Sequence, residues 1–168
     1  HSDTRRQRQM CIRDSPIADV AYYGVTTGIK AGNEGVATAY KPTGFEDIPD
    51  GLKDPDGKWF AIHYGTLGFF VNVDALGGAA VPQCFADLTN SDYRGMVGYL
   101  DPSSAFVGYA GAVAANIAFG GDLNNFDPAI KYFNDLAENS PIVPKQTSYA
   151  RVVSGEIPIL FDYDFNAY

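Results

Sequence analysis

The chain has 168 residues, of which 46% are hydrophobic and 14% aromatic, and this length and composition predict one globular domain of ordinary size. Its formal net charge is −8, and from residue 16 onward there are 8 basic and 18 acidic side chains, which argues against the basic surface that a nucleic-acid-binding protein needs. The sequence contains no run of 18 apolar residues, which a membrane-spanning helix would need, and no C-x-x-C spacing, which is typical of a metal site.

The first stretch, residues 1–15 (HSDTRRQRQMCIRDS), carries four of the six arginines. Read back into codons, it resembles a transposase sequencing adaptor with its mosaic end, and we interpret residues 1–15 as a non-native, adaptor-derived segment. A basic arm and an expression tag are the alternatives, but the body is acidic and no purification motif is present. We therefore expect the natural protein to continue upstream of residue 16, where any signal peptide would lie, and beyond the C-terminal FDYDFNAY.

The next element is a predicted buried strand over residues 17–25 (IADVAYYGV), followed by a short helix that glycines interrupt. Tyr23 ends this strand, and Thr26 and Thr27 follow it in the turn. Because ligands of open α/β sheets bind at the carboxyl ends of strands, we predict that these three side chains line a ligand cleft. The alternative is a strand end that the threonines cap.

Residues 59–76 (WFAIHYGTLGFFVNVDAL) predict a long β-rich run, and its glycines, Gly65 and Gly68, indicate bends or a close backbone approach. The same run contains His63, the only histidine outside the adaptor-like segment. No Ser-His-Asp set, nucleophile elbow or phosphate-binding glycine loop accompanies it. We therefore predict no catalytic residue, and we expect His63 to be a strand or rim residue.

A second candidate ligand contact follows the predicted strand at 96–102 (MVGYLDP). Ser103 and Ser104 come directly after it, at the start of a predicted small-residue helix over 103–121. Unpaired N–H groups and the helix dipole at such a start favour an anion, and the hydroxyls add donors. The alternative is a simple helix N-cap.

A third candidate is a pair of carboxylates near the end of the chain. Asp162 and Asp164 follow the apolar run PILF and lie two residues apart, so in a continuing strand they share a face. Two carboxylates there suit a cationic or polyhydroxylated ligand or a metal; an N-cap is the alternative.

Strands and helices alternate along the chain, ending with an amphipathic helix over 125–140, a short helix around ARVVSGE and a buried strand. In the helix over 125–140, Asp127 is the predicted N-cap and Pro128 the first helical residue. Apolar strands that alternate with helices predict an α/β fold with a largely parallel sheet.

The ordered segments ADVAYYG, KDPDGKWFAIHYGTLGFFVNVDAL, PQCFADLTNSDYRGMVGYLDPSSAFVGYAGAVAAN and TSYARVVSGEIPILFDYDFNAY resemble the bacterial extracellular solute-binding proteins that serve ABC importers. The subgroup that they resemble handles ferric iron, polyamines, thiamine and phosphorylated or phosphonate compounds. The resemblance implies a type II periplasmic-binding-protein fold, in which each of two α/β lobes is a mixed sheet flanked by helices. Residues 16–71 would be a partial lobe 1 with a hinge strand, and residues 72–168 a lobe 2 truncated at its C-terminus.

The resemblance also implies site residues. F-D-Y-D (161–164) is similar to a Phe-Glu-His-Asp stretch whose final Asp contacts an organic ligand, which supports Asp164. Iron-binding relatives carry adjacent tyrosines at the positions of Asp164 and Phe165, and Phe165 has no oxygen to ligate iron. The D-P-x-S serines match a ligand loop of lobe 2, which supports Ser103 and Ser104, and Ser148 and Tyr149 resemble a cleft-lining position.

The resemblance therefore implies a non-enzymatic, substrate-binding component of an ABC importer. It would capture a small polar or charged organic solute in the cleft between the lobes and deliver it to a membrane permease. We expect a monomer without cofactor, metal or nucleic acid, located in the periplasm or anchored by lipid outside the cytoplasm. A solute-sensing module of a regulatory protein and an enzyme sharing the fold, with His63 as its base, are the alternatives.

Overall fold

The structure is a computed structural model, and it describes residues 18–145 and 149–166. The chain consists of two compact units, of which unit 1 is His1–Tyr64 and unit 2 is Gly65–Tyr168. The division falls at 64/65, before the implied lobe boundary at 71/72, because residues 67–71 form a strand that pairs with the last of the described strands. Among the described residues, no helix is long and apolar enough to cross a bilayer.

Unit 1 contains one described α-helix, α1 (Val25–Asn33), which begins after Gly24. Its buried residues are Gly28 and Gly32, and a methyl group at either position would make ordinary contact with the Trp59 side chain, at 3.5 and 3.4 Å. The strand predicted over 17–25 is wrong for the described residues 18–24, which are extended or irregular and make no ladder. Most of these residues are exposed, and strand propensity alone does not order a segment that has no neighbouring strand.

The rest of unit 1 is a loop region organised around Phe45, which is 2% exposed. The ammonium of the buried Lys53 donates to the carbonyl oxygens of Phe45 (3.2 Å) and Glu46 (3.1 Å) and lies 5.0 Å from the centroid of the Phe45 ring. Lys53 also forms a single β-bridge with Phe60, and the described residues 18–64 contain no longer ladder. Within the described residues, the implied mixed sheet is therefore found in unit 2 only.

Unit 2 is built on a three-stranded sheet in the order β1-β3-β2, with β1 Leu67–Val71, β2 Val97–Gly98 and β3 Ile159–Tyr163. The central strand β3 runs antiparallel to β1 and parallel to β2. The sheet is thus mixed, as the family resemblance implies, and the largely parallel sheet predicted from the alternation is wrong. The long run at 59–76 gives only five strand residues, and after it the chain turns at Val73–Leu76 instead of entering a crossover helix.

Three helices accompany this sheet: α2 Phe106–Ala118, α3 Asp127–Ala137 and α4 Tyr149–Val153. The helix predicted over 125–140 is confirmed as α3, with its proline in the first turn. Its N-cap residue is Phe126, and the predicted capping role of Asp127 is wrong because the side chain that meets the first turn is Asn125, whose Oδ1 accepts from the Asp127 N–H at 3.1 Å.

The core of unit 2 lies between the sheet and α2 and α3. Its buried side chains come from β2, β3, α2 and α3 and from three 3-10 turns, Val73–Leu76, Asp87–Thr89 and Ser91–Tyr93. They are Leu76, Leu88, Tyr93, Val97, Ala115, Tyr132, Leu136, Ile159 and Phe161. A smaller cluster of Val152, Ile157 and Leu160 packs α4 against β3. Packing on the two sides fixes β3 as the rigid centre from which the candidate site projects.

Candidate functional site

The pairing of the strands brings three chain segments to one edge of the sheet. Because β2 is parallel and β1 antiparallel to β3, the carboxyl ends of β2 and β3 and the amino end of β1 point the same way. The site edge, as we call it, therefore comprises residues 65–66 before β1, residues 99–104 after β2 and residues 164–166 after β3. It collects Ser103, Ser104 and Asp164, three of the predicted ligand contacts.

Asp164 is exposed at the site edge, and the fold uses one of its two carboxylate oxygens. It begins a 3-10 turn, Asp164–Asn166, directly after β3. Its Oδ1 accepts from the backbone N–H groups of Thr66 (3.0 Å) and Phe165 (2.8 Å), and its own N–H donates to the Thr66 carbonyl at 2.9 Å. Among the described residues no donor reaches Oδ2, so this oxygen is open to a ligand.

Asp162 has a different environment, although only one residue separates it from Asp164. It is 1% exposed, and its Oδ1 accepts from the Asn166 side chain at 2.9 Å and from the Tyr163 N–H at 2.8 Å. Its Oδ2 is buried without a hydrogen-bond partner in the described part of the chain. The predicted shared face of the two carboxylates is lost because β3 ends at Tyr163. The buried Asp162 carboxylate thus binds Asn166 and so stabilises the turn that carries Asp164.

The two predicted serines precede α2 instead of starting it. The helix begins at Phe106 with Ala105 as its N-cap, so the predicted helix start at 103 is wrong. The cause is Asp101, whose Oδ1 accepts from the Ser103 N–H and from the Ser103 hydroxyl, both at 2.8 Å, and which folds this segment into a separate turn. The Ser104 hydroxyl donates weakly to the Asp101 carbonyl at 3.4 Å.

The electrostatics of this turn disfavour the anion site that the serines suggested. Hydrogen bonds from the backbone N–H and then the hydroxyl of Ser103 hold the pKa of Asp101 below its ordinary value, so this half-buried carboxylate is charged at neutral pH. It occupies the donors that an incoming anion would need. The turn therefore favours a hydroxyl or a cation over an anion.

A glycine fixes this turn to the helix behind it. A Cβ on Gly108 would overlap the Leu100 carbonyl oxygen and lie 2.8 Å from the Leu100 carbonyl carbon and 2.9 Å from that of Asp101. Only a glycine lets α2 approach the backbone so closely. The segment that carries Ser103 is consequently held against a helix whose Ala112 and Ala115 are buried in the core.

The remaining predicted contacts lie elsewhere. In unit 1, Tyr23 is 47% exposed and precedes α1. Thr26 and Thr27 are exposed in the first turn of α1, so the two threonines belong to a helix start and not to a strand end. In unit 2, Tyr149 is 53% exposed and begins α4. Ser148 lies outside the described residues.

The histidine in unit 1 has an aromatic neighbour that the sequence did not pair with it. The Tyr22 hydroxyl lies 2.6 Å from the Nε2 of His63, and their rings stack with centroids 5.7 Å apart. Within the described residues, no group of three or more His, Cys, Asp or Glu side chains is placed to hold a metal ion.

Sequence reasoning missed Asp101 and Thr66 as site residues. Asp101 was visible in the D-P-x-S pattern, but nothing local shows that its carboxylate turns back onto Ser103. Thr66 meets Asp164 across 98 residues of sequence, and no periodic pattern reports a contact of that kind. The only sequence signal near it was Gly65.

Comparison with known proteins gives a consistent result. A model of the family described as bacterial extracellular solute-binding protein matches residues 15–168. The structure of the periplasmic binding protein AfuA from Actinobacillus pleuropneumoniae, with exogenous fructose 6-phosphate bound, is 28% identical with a TM-score of 0.73, and the match covers 95% of this chain and 52% of AfuA. The periplasmic binding protein P5PA is 25% identical with a TM-score of 0.75, over 95% of this chain and 52% of P5PA.

Among curated proteins, an uncharacterised protein of Haemophilus influenzae is 29% identical over 161 residues, which is 90% of this chain and 46% of that protein. The chain thus spans about half the length of the relatives that it matches.

Proposed function

Because the chain belongs to the bacterial extracellular solute-binding proteins, we propose that it is part of the substrate-binding component of an ABC importer. In this role it captures a small polar or charged organic solute outside the cytoplasm and passes it to a membrane permease. We place the protein in the periplasm or, through a lipid anchor, on the outer face of the membrane. The family match and the two periplasmic binding proteins of similar fold support this assignment.

The observation that carries the proposal is the arrangement of Asp164. A carboxylate oxygen that accepts two backbone N–H groups cannot rotate freely, so the second oxygen is presented in one direction. Such a pre-ordered acceptor binds a hydroxyl or an ammonium group without first losing side-chain entropy. The proposed solute therefore presents hydrogen-bond donors to Asp164.

The other predicted contacts complete the proposal. In unit 2, Ser103, Ser104, Ser148 and Tyr149 would add hydroxyl groups, with the Asp101 carboxylate behind Ser103. In unit 1, Tyr23, Thr26 and Thr27 would add exposed hydroxyl groups from α1 and the residues before it. Asp162, which is buried, supports the turn of Asp164 and leaves solute contact to its neighbour.

Calorimetric titration of the full chain with fructose 6-phosphate, fructose, thiamine and spermidine tests the proposal. The variant Asp164→Asn keeps an oxygen for the two backbone N–H groups and replaces the outward oxygen by an NH₂ donor. We expect it to weaken binding of the solute at least tenfold, since a donor of the solute would then face an NH₂ donor in place of the carboxylate oxygen. Asp74→Asn is the matched control, because Asp74 follows β1 at the opposite edge of the sheet and the charge change is the same.

Two results would contradict the proposal. If none of the four solutes binds the wild-type chain at millimolar concentration, a solute-binding role for these residues is not supported. If a solute binds and Asp164→Asn weakens it no more than Asp74→Asn does, Asp164 is not the contact.

A further inference from the structure

Gly65 lies where a side chain would have no room. A Cβ at this position would overlap the Oδ1 of Asp164 and lie 2.5 and 2.9 Å from the Cδ1 and Cε1 atoms of the Phe165 ring. The nearby Gly68 of β1 is different, since a Cβ there would meet no atom within 4 Å. The absence of a side chain at 65 is thus required by the position of the Asp164 carboxylate, and at 68 it is not.

The next residue makes the contact that this space allows. Thr66 and Asp164 extend the antiparallel register of β1 and β3 by one step beyond the pair Leu67↔Tyr163. In a regular hydrogen-bonded pair, each residue donates its N–H to the carbonyl of the other. Here the Asp164 N–H does donate to the Thr66 carbonyl at 2.9 Å, but the Thr66 N–H donates to the Asp164 side chain, Oδ1, at 3.0 Å.

From this exchange we infer that Gly65 and Thr66 are positioning residues for Asp164. Gly65 leaves the volume in which the carboxylate lies, and the Thr66 N–H holds Oδ1 so that Oδ2 is the oxygen presented to the solute. The inference rests on the proposed function in one respect, namely that Oδ2 of Asp164 contacts the solute. The hydrogen-bond arrangement itself does not depend on that contact.

The carboxylate and the turn beneath it are held by separate contacts. The turn Asp164–Asn166 is tied to the protein interior through the Asn166 side chain and the buried Asp162 carboxylate, and through the Asp164 N–H to Thr66. The Asp164 side chain and the Phe165 ring are both exposed, so a methyl group at 65 rotates both of them outward instead of displacing β3. Gly65→Ala should therefore remove the Thr66–Oδ1 bond while the sheet remains folded.

The first experiment measures amide hydrogen exchange by NMR in the full chain without any solute. We expect the Thr66 amide to exchange at least tenfold faster in Gly65→Ala and in Asp164→Ala than in the wild type, and at the wild-type rate in Gly68→Ala. The amides of β3 should keep their protection in all three variants. Wild-type protection of Thr66 in Gly65→Ala would overturn the inference, and so would equal loss of protection throughout β3, which would mean a general structural role.

The second experiment is a double-mutant cycle with fructose 6-phosphate as the probe. Gly65→Ala should weaken its binding at least tenfold, and adding Gly65→Ala to Asp164→Ala should cause no further loss, because both changes act through one carboxylate. Additive losses would overturn the inference. If the wild type does not bind this probe, that result counts against fructose 6-phosphate as the solute of the proposed function, and the exchange experiment alone decides the positioning roles.

Discussion

Gly108→Ala should destabilise unit 2, although alanine is the better helix former. Replacing glycine by alanine inside a helix gains about 1 kcal/mol of helix propensity. The new Cβ, however, would lie 2.8 Å from the Leu100 carbonyl carbon, and it needs about 0.7 Å more for ordinary carbon–carbon contact. The atoms it meets are backbone, so α2 must move away from residues 100–101. Overpacking of this kind costs about 1–3 kcal/mol, and we expect the upper end of this range because no atom at this contact can rotate aside. After the propensity gain is subtracted, the free energy of unfolding should fall by about 2 kcal/mol.

Gly111→Ala in the same helix is the matched control. Its Cβ would lie 3.4 Å from Cδ2 of Phe161 and 3.9 Å from Cδ2 of Leu67, which is ordinary contact with side chains that can adjust. It should therefore retain most of the propensity gain of about 1 kcal/mol. Urea unfolding followed by far-ultraviolet circular dichroism reports on unit 2, which contains three of the four described α-helices. Equal stability of the two variants would show that α2 does not approach residues 100–101 as closely as we describe.

Asn116→Ala should lower the free energy of unfolding in urea by about 2–3 kcal/mol. The Asn116 side chain is 1% exposed, donates to the carbonyls of Asp122 and Asn125 and accepts from the Ala129 N–H. A loss within 0.5 kcal/mol, about the scatter of surface substitutions, would refute its role in joining α2 to α3. Ser103→Ala should raise the pKa of Asp101 part of the way to its ordinary value, since the backbone N–H that lowers it most remains. Because the folded-state pKa of Asp101 is lowered, its contribution to stability is present above the unfolded-state pKa and is lost as the pH falls through the folded-state pKa. An NMR titration of Asp101 checks the shift, and an unchanged pKa in Ser103→Ala would contradict the hydroxyl contact.

The fold of unit 2 was predictable where one element is long, periodic and buried. The helix over 125–140 and the apolar run ending in ILFDY are found as α3 and β3, because burial against a core agrees there with local propensity. The predicted strand at 17–25 and most of the run at 59–76 failed for a common reason. Both are apolar and rich in β-branched or aromatic residues, but a strand requires a partner at the right register, and sequence periodicity does not show whether one exists.

The candidate site was predictable in its residue types and less so in its geometry. Asp164 and the serine pair were identified from chain order and resemblance, and the structure places them at one edge of the sheet. Gly65 and Gly68 were both expected to mark bends or close approach, and only Gly65 has a close neighbour. Nothing in the local sequence distinguishes the two glycines, because the neighbouring atoms belong to Asp164 and Phe165, which are far away along the chain.

The two carboxylates near the C-terminus show how a strand end divides chemically similar residues. Asp162 is the last but one residue of β3 and is buried, whereas Asp164 follows β3 directly and is exposed. Since Oδ1 of Asp164 already accepts two backbone N–H groups, the residue has one oxygen left for a solute. A guanidinium group pairs best with both oxygens of a carboxylate, whereas a hydroxyl or an ammonium needs only one. The geometry of Asp164 therefore suits the proposed polyhydroxylated or amine-bearing solute better than one recognised through a guanidinium group.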